Sequence, residues 1–345
     1  MIRVDTAVVI SKESLSTLVE GLLNEREVIG VKRRDGKFAF APIESPDELC
    51  LDYDITLLPL KQFVLPSRET LFHYSIRNGV VITPEEDSKP RAIVGVHPYD
   101  IRALDLLDAV YLGDVPDPNY AVRRENTLII GVDCLNPSPN CFAASLGTNV
   151  VNKGFDLLLT DVGGSYVVQT GSERGAELLS RYCDVRPADA RHLAQRDAAR
   201  KESEKRYETS LSLSSQEIAT LLEGNWDHPV WTEKGAKCLN CSSCTVVCPT
   251  CVCFDVQDEP SLSLVEGRRA RKWDSCMLPD FARVATGENF RKTGADRLRH
   301  RLHRKGKYLL ERYGVLGCVG CGRCITTCLA QIASPVDIYD ALMKG

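Results

Sequence analysis

The sequence lacks the features that would place the chain in a membrane or mark it for secretion. Although 43% of its residues are hydrophobic, no apolar run reaches the length of about eighteen residues that a membrane-spanning helix needs. The opening stretch, MIRVDTAVVISKESL, contains an arginine but no continuous apolar core and no small-residue cleavage site. We therefore expect a cytoplasmic protein with no membrane segment, in a compartment where thiols stay reduced.

Fingerprints of nucleotide binding are absent as well. No G-x-G-x-x-G follows a candidate strand, and no G-x-x-x-x-G-K-[ST] occurs. The sequence therefore shows no flavin, nicotinamide or ATP site of its own. His97, His228, His300 and His303 stand apart from any pattern of an activated nucleophile, so we assign no catalytic residue.

Cysteine is the residue that the chain has in excess. It has 15 cysteines, an odd number, and eleven of them follow residue 235. In a reducing compartment such clustering indicates metal binding or redox chemistry rather than disulfides. The alternative, cysteine as a small buried hydrophobe, suits Cys50 and Cys183 but does not account for a repeated spacing.

The spacing C-x2-C-x2-C-x3-C occurs twice, in CLNCSSCTVVC at 238–248 and in CVGCGRCITTC at 318–328. In this motif three thiolates hold one iron–sulfur cube, and the fourth holds the cube of the other motif. We predict two [4Fe–4S] clusters, one bound by Cys238, Cys241, Cys244 and Cys328, the other by Cys318, Cys321, Cys324 and Cys248. Zinc is the competing metal, but it uses C-x2-C pairs and has no need of the third and fourth cysteines at these offsets.

Two details of the cysteine-rich region stand outside this pattern. Cys328 is followed by Leu329 where proline is usual, but proline is not a ligand and the ligand sets are unaffected. Cys251, Cys253 and Cys276 remain as additional thiols. We expect either a third metal site that involves them or buried, redox-inert thiols.

A long basic segment separates the two motifs. Residues 249–317 lie between them, and within 266–312 fourteen Lys and Arg face six Asp and Glu, a balance of +8 in a chain of −4. Three causes compete: pairing with anionic clusters and core carboxylates, docking of a partner, and nucleic-acid binding. No aromatic interleaving or known motif accompanies the charge, so we predict no nucleic acid as partner. We expect this insert to be mostly helical.

Residues 1–205 have the pattern of an α/β domain. The periodicity predicts a helix at 13–24, a hairpin at 28–43, strands at 92–96, 127–134, 156–162 and 165–170, and a helix from Pro98 to Val110. A strand, helix, strand order predicts parallel pairing, with a site at the carboxyl ends of the strands. Residues 206–235 form a connector, in which Ser214 and Glu217 predict a capping box. Residues 236–345 complete the chain as a ferredoxin-like dicluster domain.

The loops HPYDIR at 97–102 and CLNPSPNCFA at 134–143 should lie at the same end of the sheet. One interpretation is a ligand or cofactor site built from Asp100, Arg102, Cys134 and Cys141. The other is a pair of solvent-exposed loops that carry an Asp–Arg ion pair.

Several segments together resemble one family. They are CLNCSSCTVVCPTCVCFDVQD, RKWDSCMLPDF, GENFR, RLRHR and RYGVLGCVGCGRC, with a weaker likeness at GVHPYDIRAL and CFAASLGT. The family is that of the β subunits of cytoplasmic NiFe sulfhydrogenases, which is related to the A subunit of anaerobic sulfite reductase.

The resemblance implies an electron-transfer subunit that is not itself catalytic. It would relay single electrons between an NAD(P)H-linked, ferredoxin–NADP reductase-like flavoprotein subunit and the large and small subunits of a NiFe hydrogenase. It also implies two cubes on the eight motif cysteines. Family members often carry cysteine where this chain has Tyr99 and Ala143, so a further cube with Cys134 and Cys141 would lack two ligands here.

Other functions stay open. An anaerobic sulfite reductase would use the same kind of electron-transfer subunit with a different terminal enzyme. A reductase could act on a thiol or disulfide at an unusual cluster of Cys251, Cys253 and Cys276. A nucleic-acid-binding iron–sulfur protein would use the basic insert.

Overall fold

The computed structural model describes residues 3–4 and 6–344, and it is built on an eight-stranded sheet. The strands are β1 (Ala7–Ser11), β2 (Glu27–Arg34), β3 (Lys37–Pro42), β4 (Arg68–Ser75), β5 (Val81–Pro84), β6 (Arg91–Val96), β7 (Thr127–Val132), β8 (Leu157–Asp161), β9 (Ser165–Thr170), β10 (Arg186–Pro187), β11 (Phe254–Pro260) and β12 (Glu266–Trp273). The order in the large sheet is β10-β1-β9-β8-β7-β6-β2-β3. Its centre, β2-β6-β7-β8, is parallel, and its flanks are antiparallel.

The helices cover the sheet first and then enclose the cysteine-rich part of the chain. They are α1 (Lys12–Leu23), α2 (Lys61–Val64), α3 (Pro98–Tyr111), α4 (Pro118–Glu125), α5 (Glu173–Tyr182), α6 (Ala190–Glu204), α7 (Ser215–Gly224), α8 (Val230–Ala236), α9 (Ser243–Val246), α10 (Gly294–His303), α11 (Leu309–Tyr313), α12 (Arg323–Thr327) and α13 (Pro335–Lys344). A π-helical turn, Arg304–Tyr308, joins α10 to α11. Within the described residues, no helix is both long and apolar enough to cross a bilayer.

Most of the predicted elements of the α/β part are confirmed. Helix α1 begins at Ser11, whose hydroxyl accepts the Ser14 N–H, and buries Leu18 and Leu22 against the sheet. The β2–β3 hairpin turns at Asp35 and Gly36, with φ of 50° and 72°, as a turn that needs two left-handed residues. The capping box of α7 is also present, because Ser214 and Glu217 each cap the other's backbone N–H.

A second, smaller sheet corrects the expectation for the insert. Its order is β11-β12-β4-β5, and β12 pairs with β4 so that Arg271 lies opposite Glu69. Residues 254–273 are therefore a hairpin, and helix begins only at Gly294. The prediction of a mostly helical insert is wrong in its first half, because β4 offers those residues a strand edge that is about two hundred residues away along the chain.

Two hydrophobic cores lie side by side. The first fills the space between the large sheet and its helices, from Leu18 and Ile29 to Leu158 and Leu179. The second is built by α7, α8, α10 and α13 around Trp231, and four of the motif cysteines pack against it, Cys238, Cys244, Cys318 and Cys328. The predicted boundaries at 205 and 235 remain a prediction, although α6 ends and α7 begins between them.

A buried ion pair connects the large sheet with the second cysteine motif. Arg323 donates to both carboxylate oxygens of Asp100, at 2.7 and 2.6 Å, and to the carbonyl and hydroxyl of Thr56. Its side chain is 2% exposed and that of Asp100 is 0% exposed. Arg102, in contrast, pairs with Asp105 near the surface. Residues 97–102 are therefore not a solvent loop but the start of α3, and the Asp100 carboxylate is not free for a ligand because it pairs with Arg323.

We predict that Arg323→Met lowers the free energy of unfolding by about 3–5 kcal/mol, because the Asp100 carboxylate loses the charge that compensates its burial. Anaerobic urea titration followed by circular dichroism measures this. The control is Arg102→Met, which removes a half-exposed pair and should cost less than about 1 kcal/mol. Equal losses in the two variants would contradict the special role of the buried pair.

Candidate iron–sulfur centre

The two cysteine motifs fold with the same backbone. In each, the second residue after the first cysteine and the first residue after the second cysteine are left-handed: Asn240 and Ser242 in one motif, Gly320 and Gly322 in the other, with φ between 54° and 78°. A short helix follows at the third cysteine, α9 or α12, and the two helices pack on each other. Repeated spacing has therefore produced a repeated loop that curls three cysteines around one space.

The first space is lined by Cys238, Cys241, Cys244 and Cys328, the set predicted for one cube. It encloses about 400 Å³, counted to its open mouth. The rest of its wall is mainly apolar, from Met277, Leu298, Ile332, Leu239 and Leu329. Cys241 is the exposed thiol of the set, so this cavity reaches the protein surface. We call it the outer cavity.

The second space is lined by Cys248, Cys318, Cys321 and Cys324, the set predicted for the other cube. It lies between the second motif and Phe142 of the 134–143 loop. We call it the inner cavity. The structure thus brings the eight motif cysteines into the two predicted groups of four, with the last cysteine of each motif crossing to the other group.

Burial makes some of the metal-free thiols in these cavities poor acids. It raises the pKa of Cys244 and that of Cys318 to about 11 in each case. At neutral pH both would hold their protons unless a metal displaced them, as expected for sites that load metal with release of protons. A donor set of four such sulfurs around one enclosed space fits a [4Fe–4S] core.

Two buried cations next to the cavities have no carboxylate partner among the described residues. Lys305 donates from Nζ to Cys248 Sγ at 3.0 Å, to Thr250 Oγ1 at 2.9 Å and to the Gly317 carbonyl at 3.1 Å. Arg301 donates to the Ala333 carbonyl at 3.2 Å, and its Nε has no partner. Burial alone would lower the pKa of Lys305 and of Arg301, but nearby cysteines, chiefly Cys248 and Cys244 respectively, raise both above their usual range.

Arg301 lines both cavities, and Lys305 lines the inner one. A buried charge without a counterion is strongly unfavourable. The two positive charges therefore require negative charge in the cavities, which four thiolates around each iron–sulfur core supply. The described side chains do not supply this negative charge, and bound clusters would.

The other cations of the insert fall into two groups. Arg271 is buried and joins Glu69 and Asp117 of the sheet part, while Arg297 binds carbonyl groups and Asn240. Arg268, Arg269, Arg283 and Lys307 form exposed pairs with nearby carboxylates. Ion pairing with the core therefore accounts for Arg271, whereas neutral groups hold the buried Arg297.

The 134–143 loop packs against Tyr99, and Tyr99 and Ala143 stand where the family resemblance implies further cysteines. Tyr99, Cys134, Cys141 and Ala143 do come together, in one buried cluster beside Cys321. The Tyr99 ring is buried there and donates to the Asp54 carbonyl. Burial raises the pKa of Cys141 to about 12. These four positions form packed core in this chain, so the interpretation of Cys134 and Cys141 as part of a ligand site gains no support.

Cys251, Cys253 and Cys276 come together as well. They line a third, small cavity with Arg301, Arg304 and Lys305. Among the residues described, no three or more His, Cys, Asp or Glu side chains are arranged to hold a single metal ion. A cube spreads its four thiolates around a larger core, so that result does not bear on the two motif cavities. The third metal site remains a prediction.

Sequence reasoning missed Arg323, Thr250 and Lys61 as parts of this region. Lys61 is buried, donates to the Cys251 carbonyl and lies 3.9 Å from the centre of the Trp273 ring. Arg323 sits inside the C-G-R-C motif, and its position there was the available signal. Lys61 gave none, because its role depends on contact with a segment 190 residues away.

Comparison with known proteins decides the family. The profile described as a 4Fe-4S dicluster domain matches residues 237–332. Sulfhydrogenase 2 subunit beta of Pyrococcus furiosus is 37% identical over 322 residues, which cover 92% of each chain. The chain belongs to the sulfhydrogenase β-subunit family. The resemblance read from the sequence is confirmed, and with it an iron–sulfur electron-transfer role of the hydrogenase type. The ligand sets and the number of clusters in this sulfhydrogenase β-subunit homologue stay predictions.

We predict that Gly322→Ala disrupts the inner cavity of this β-subunit homologue. An added Cβ would lie 2.4 Å from the Asn140 carbonyl oxygen, and φ is +78°. Left-handed backbone alone costs a non-glycine residue about 1–2 kcal/mol. Gly314→Ala is the matched control, since φ is +69° and nothing lies within 4 Å. Urea unfolding and iron content should both fall further for Gly322→Ala; identical behaviour would show that the close approach to residue 140 is unimportant.

Proposed function

We propose that this chain is the electron-transfer subunit of a NiFe hydrogenase complex and carries two [4Fe–4S] clusters. Cys238, Cys241, Cys244 and Cys328 hold one, and Cys318, Cys321, Cys324 and Cys248 hold the other. The supporting observation is a pair of four-cysteine cavities that share Arg301, one open at the surface and one enclosed. Two neighbouring one-electron carriers, one near the surface and one deeper, can relay electrons from a docked partner into the protein.

The chain's own residues prepare these sites for electron transfer. The cysteine thiolates hold the clusters, the apolar walls exclude water, and Arg301 and Lys305 oppose the negative charge that each added electron increases. At the mouth of the outer cavity, Leu239 and Leu329 are 61% and 84% exposed beside Cys241. An exposed apolar rim around an exposed ligand suits the docking of a redox partner.

The proposed partners are a ferredoxin–NADP reductase-like flavoprotein subunit and the hydrogenase large and small subunits. The name of the relative, a sulfhydrogenase subunit, supports a hydrogenase assembly. The absence of a nucleotide fingerprint in the sequence supports a separate flavoprotein. An anaerobic sulfite reductase would share the flavoprotein partner and would pass the electrons to a sirohaem protein instead of the hydrogenase subunits.

Anaerobic affinity purification of the tagged chain from its own cells, with mass spectrometry, tests the assembly. We expect a flavoprotein and two NiFe hydrogenase subunits in the eluate. Recovery of a sirohaem protein instead would assign the wire to sulfite reduction. Recovery of nucleic acid in a salt-sensitive complex, with no redox protein, would contradict both.

The anaerobically purified protein should contain about eight irons and eight sulfides per chain. Cys244→Ser and Cys324→Ser should each lose about half of the iron and one of two signals in the EPR spectrum of the reduced protein, because each removes a ligand of a different cube. Cys183→Ser is the control, since this half-buried thiol lies in the sheet part and outside both cavities. Unchanged iron in both motif variants would contradict the ligand sets.

Arg301→Met should lower the reduction potentials of both clusters, because it removes a positive charge that lines both cavities. The expected shift is on the order of 60 mV, which is a tenfold change in a one-electron equilibrium. EPR-monitored redox titration measures it. The control Arg299→Met lies on the same helix but pairs with Asp296 near the surface, and its potentials should stay unchanged.

A further inference from the structure

Three thiols outside both ligand sets form a continuous array. Cys253 lies with Cys251 and Cys276 on the wall of one cavity. Cys251 and Cys276 are buried, whereas Cys253 is partly exposed. The array therefore has one accessible member and two enclosed ones, which is the arrangement of an attacking thiol with resolving thiols behind it.

The array adjoins the inner cavity. The cavity of Cys251, Cys253 and Cys276 shares Thr250, Arg301 and Lys305 with the inner cavity. Cys251 also follows the inner-cavity cysteine Cys248 by only three residues, and its amide N–H donates to the Cys248 carbonyl at 3.3 Å. Shared walls and a shared strand of backbone give a short path between a cluster in the inner cavity and these sulfurs.

We propose that Cys253 and Cys276 are a redox-active dithiol–disulfide pair that exchanges electrons with the cluster of the inner cavity and reduces a small disulfide. Cys276 is the partner of Cys253 because the two chain segments meet there, with the Asp274 N–H donating to the Cys253 carbonyl at 3.0 Å. Cys251 is separated from Cys253 by one residue, so a disulfide between them would close a small, strained ring. This inference rests on the proposed function for its electron supply.

The step balances with a disulfide RSSR as oxidant. The Cys253 thiolate attacks one sulfur, the S–S bond of RSSR breaks, and RS⁻ leaves with a proton from solvent. The Cys276 thiolate then attacks the Cys253 sulfur, forms the internal disulfide and releases the second RS⁻. Two electrons, delivered singly through the inner cavity, and two protons restore both thiols. In sum, RSSR, two electrons and two protons give two RSH.

Trapping of thiols in the intact holoprotein tests the pair, with glutathione disulfide as the probe. Protein treated anaerobically with the probe, alkylated and digested should show Cys253 and Cys276 joined, and dithionite should return both to the alkylated form. Cys276→Ser should stop at a glutathione adduct on Cys253. The control Cys183→Ser should behave as the unmodified chain.

The other outcomes are distinct. The unmodified chain could hold iron or zinc in addition to the two cubes. If Cys253→Ser and Cys276→Ser lose that additional metal, the three thiols are a metal site and the proposal is overturned. If iron and both EPR signals are intact but glutathione disulfide neither modifies Cys253 nor joins it to Cys276, the pair is redox-inert. The proposal then fails, and the proposed electron-transfer function is unaffected. If the disulfide forms in protein that lacks both EPR signals and dithionite does not reduce it, the electron supply is wrong and the proposed function fails. The trapping in the unmodified chain decides these cases even if a variant does not fold.

Discussion

Positive charge buried without a carboxylate partner is the constraint on which the cysteine-rich half depends. Arg301 lines both cavities and Lys305 lines the inner one. Among the described residues, their hydrogen bonds are accepted by carbonyl groups, a hydroxyl and a thiol sulfur. In such a setting the stable state is the one that places anionic sulfur opposite them. We therefore expect cluster binding and folding of this half to be coupled, because the buried cations would destabilise the protein if no cluster balanced their charge.

Polar contacts and a buried apolar cluster, in which Tyr99 and Cys141 pack with Val319, attach the same half to the sheet part. Arg323 meets Asp100, Arg271 meets Glu69 and Asp117, and the Phe142 N–H donates to the Gly320 carbonyl at 2.7 Å. In each contact the residue of the cysteine-rich half belongs either to the second cysteine motif or to the insert. The sheet part therefore acts as a rigid support that sets the shape of the inner cavity from outside.

Local patterns predicted what local chemistry decides. Cysteine spacing placed eight thiols in two groups of four because the loop that it encodes is short and self-contained. Periodicity located α1, the β2–β3 hairpin and the central strands because each buries a regular apolar face. The hairpin of β11 and β12 was missed because its sequence, rich in charge, becomes strand only beside β4. The roles of Asp100 and Lys61 were missed for the same reason, since each depends on a partner far away along the chain.

The pairing of β12 with β4 has a consequence for how the protein is made. The ribosome synthesises β4 roughly two hundred residues before β12. The edge of β4 that pairs with β12 therefore stays unpaired while those residues emerge. Every cysteine of the second motif appears later still. A chain interrupted after residue 317 would contain the paired small sheet but none of the second motif, so both predicted ligand sets would be incomplete.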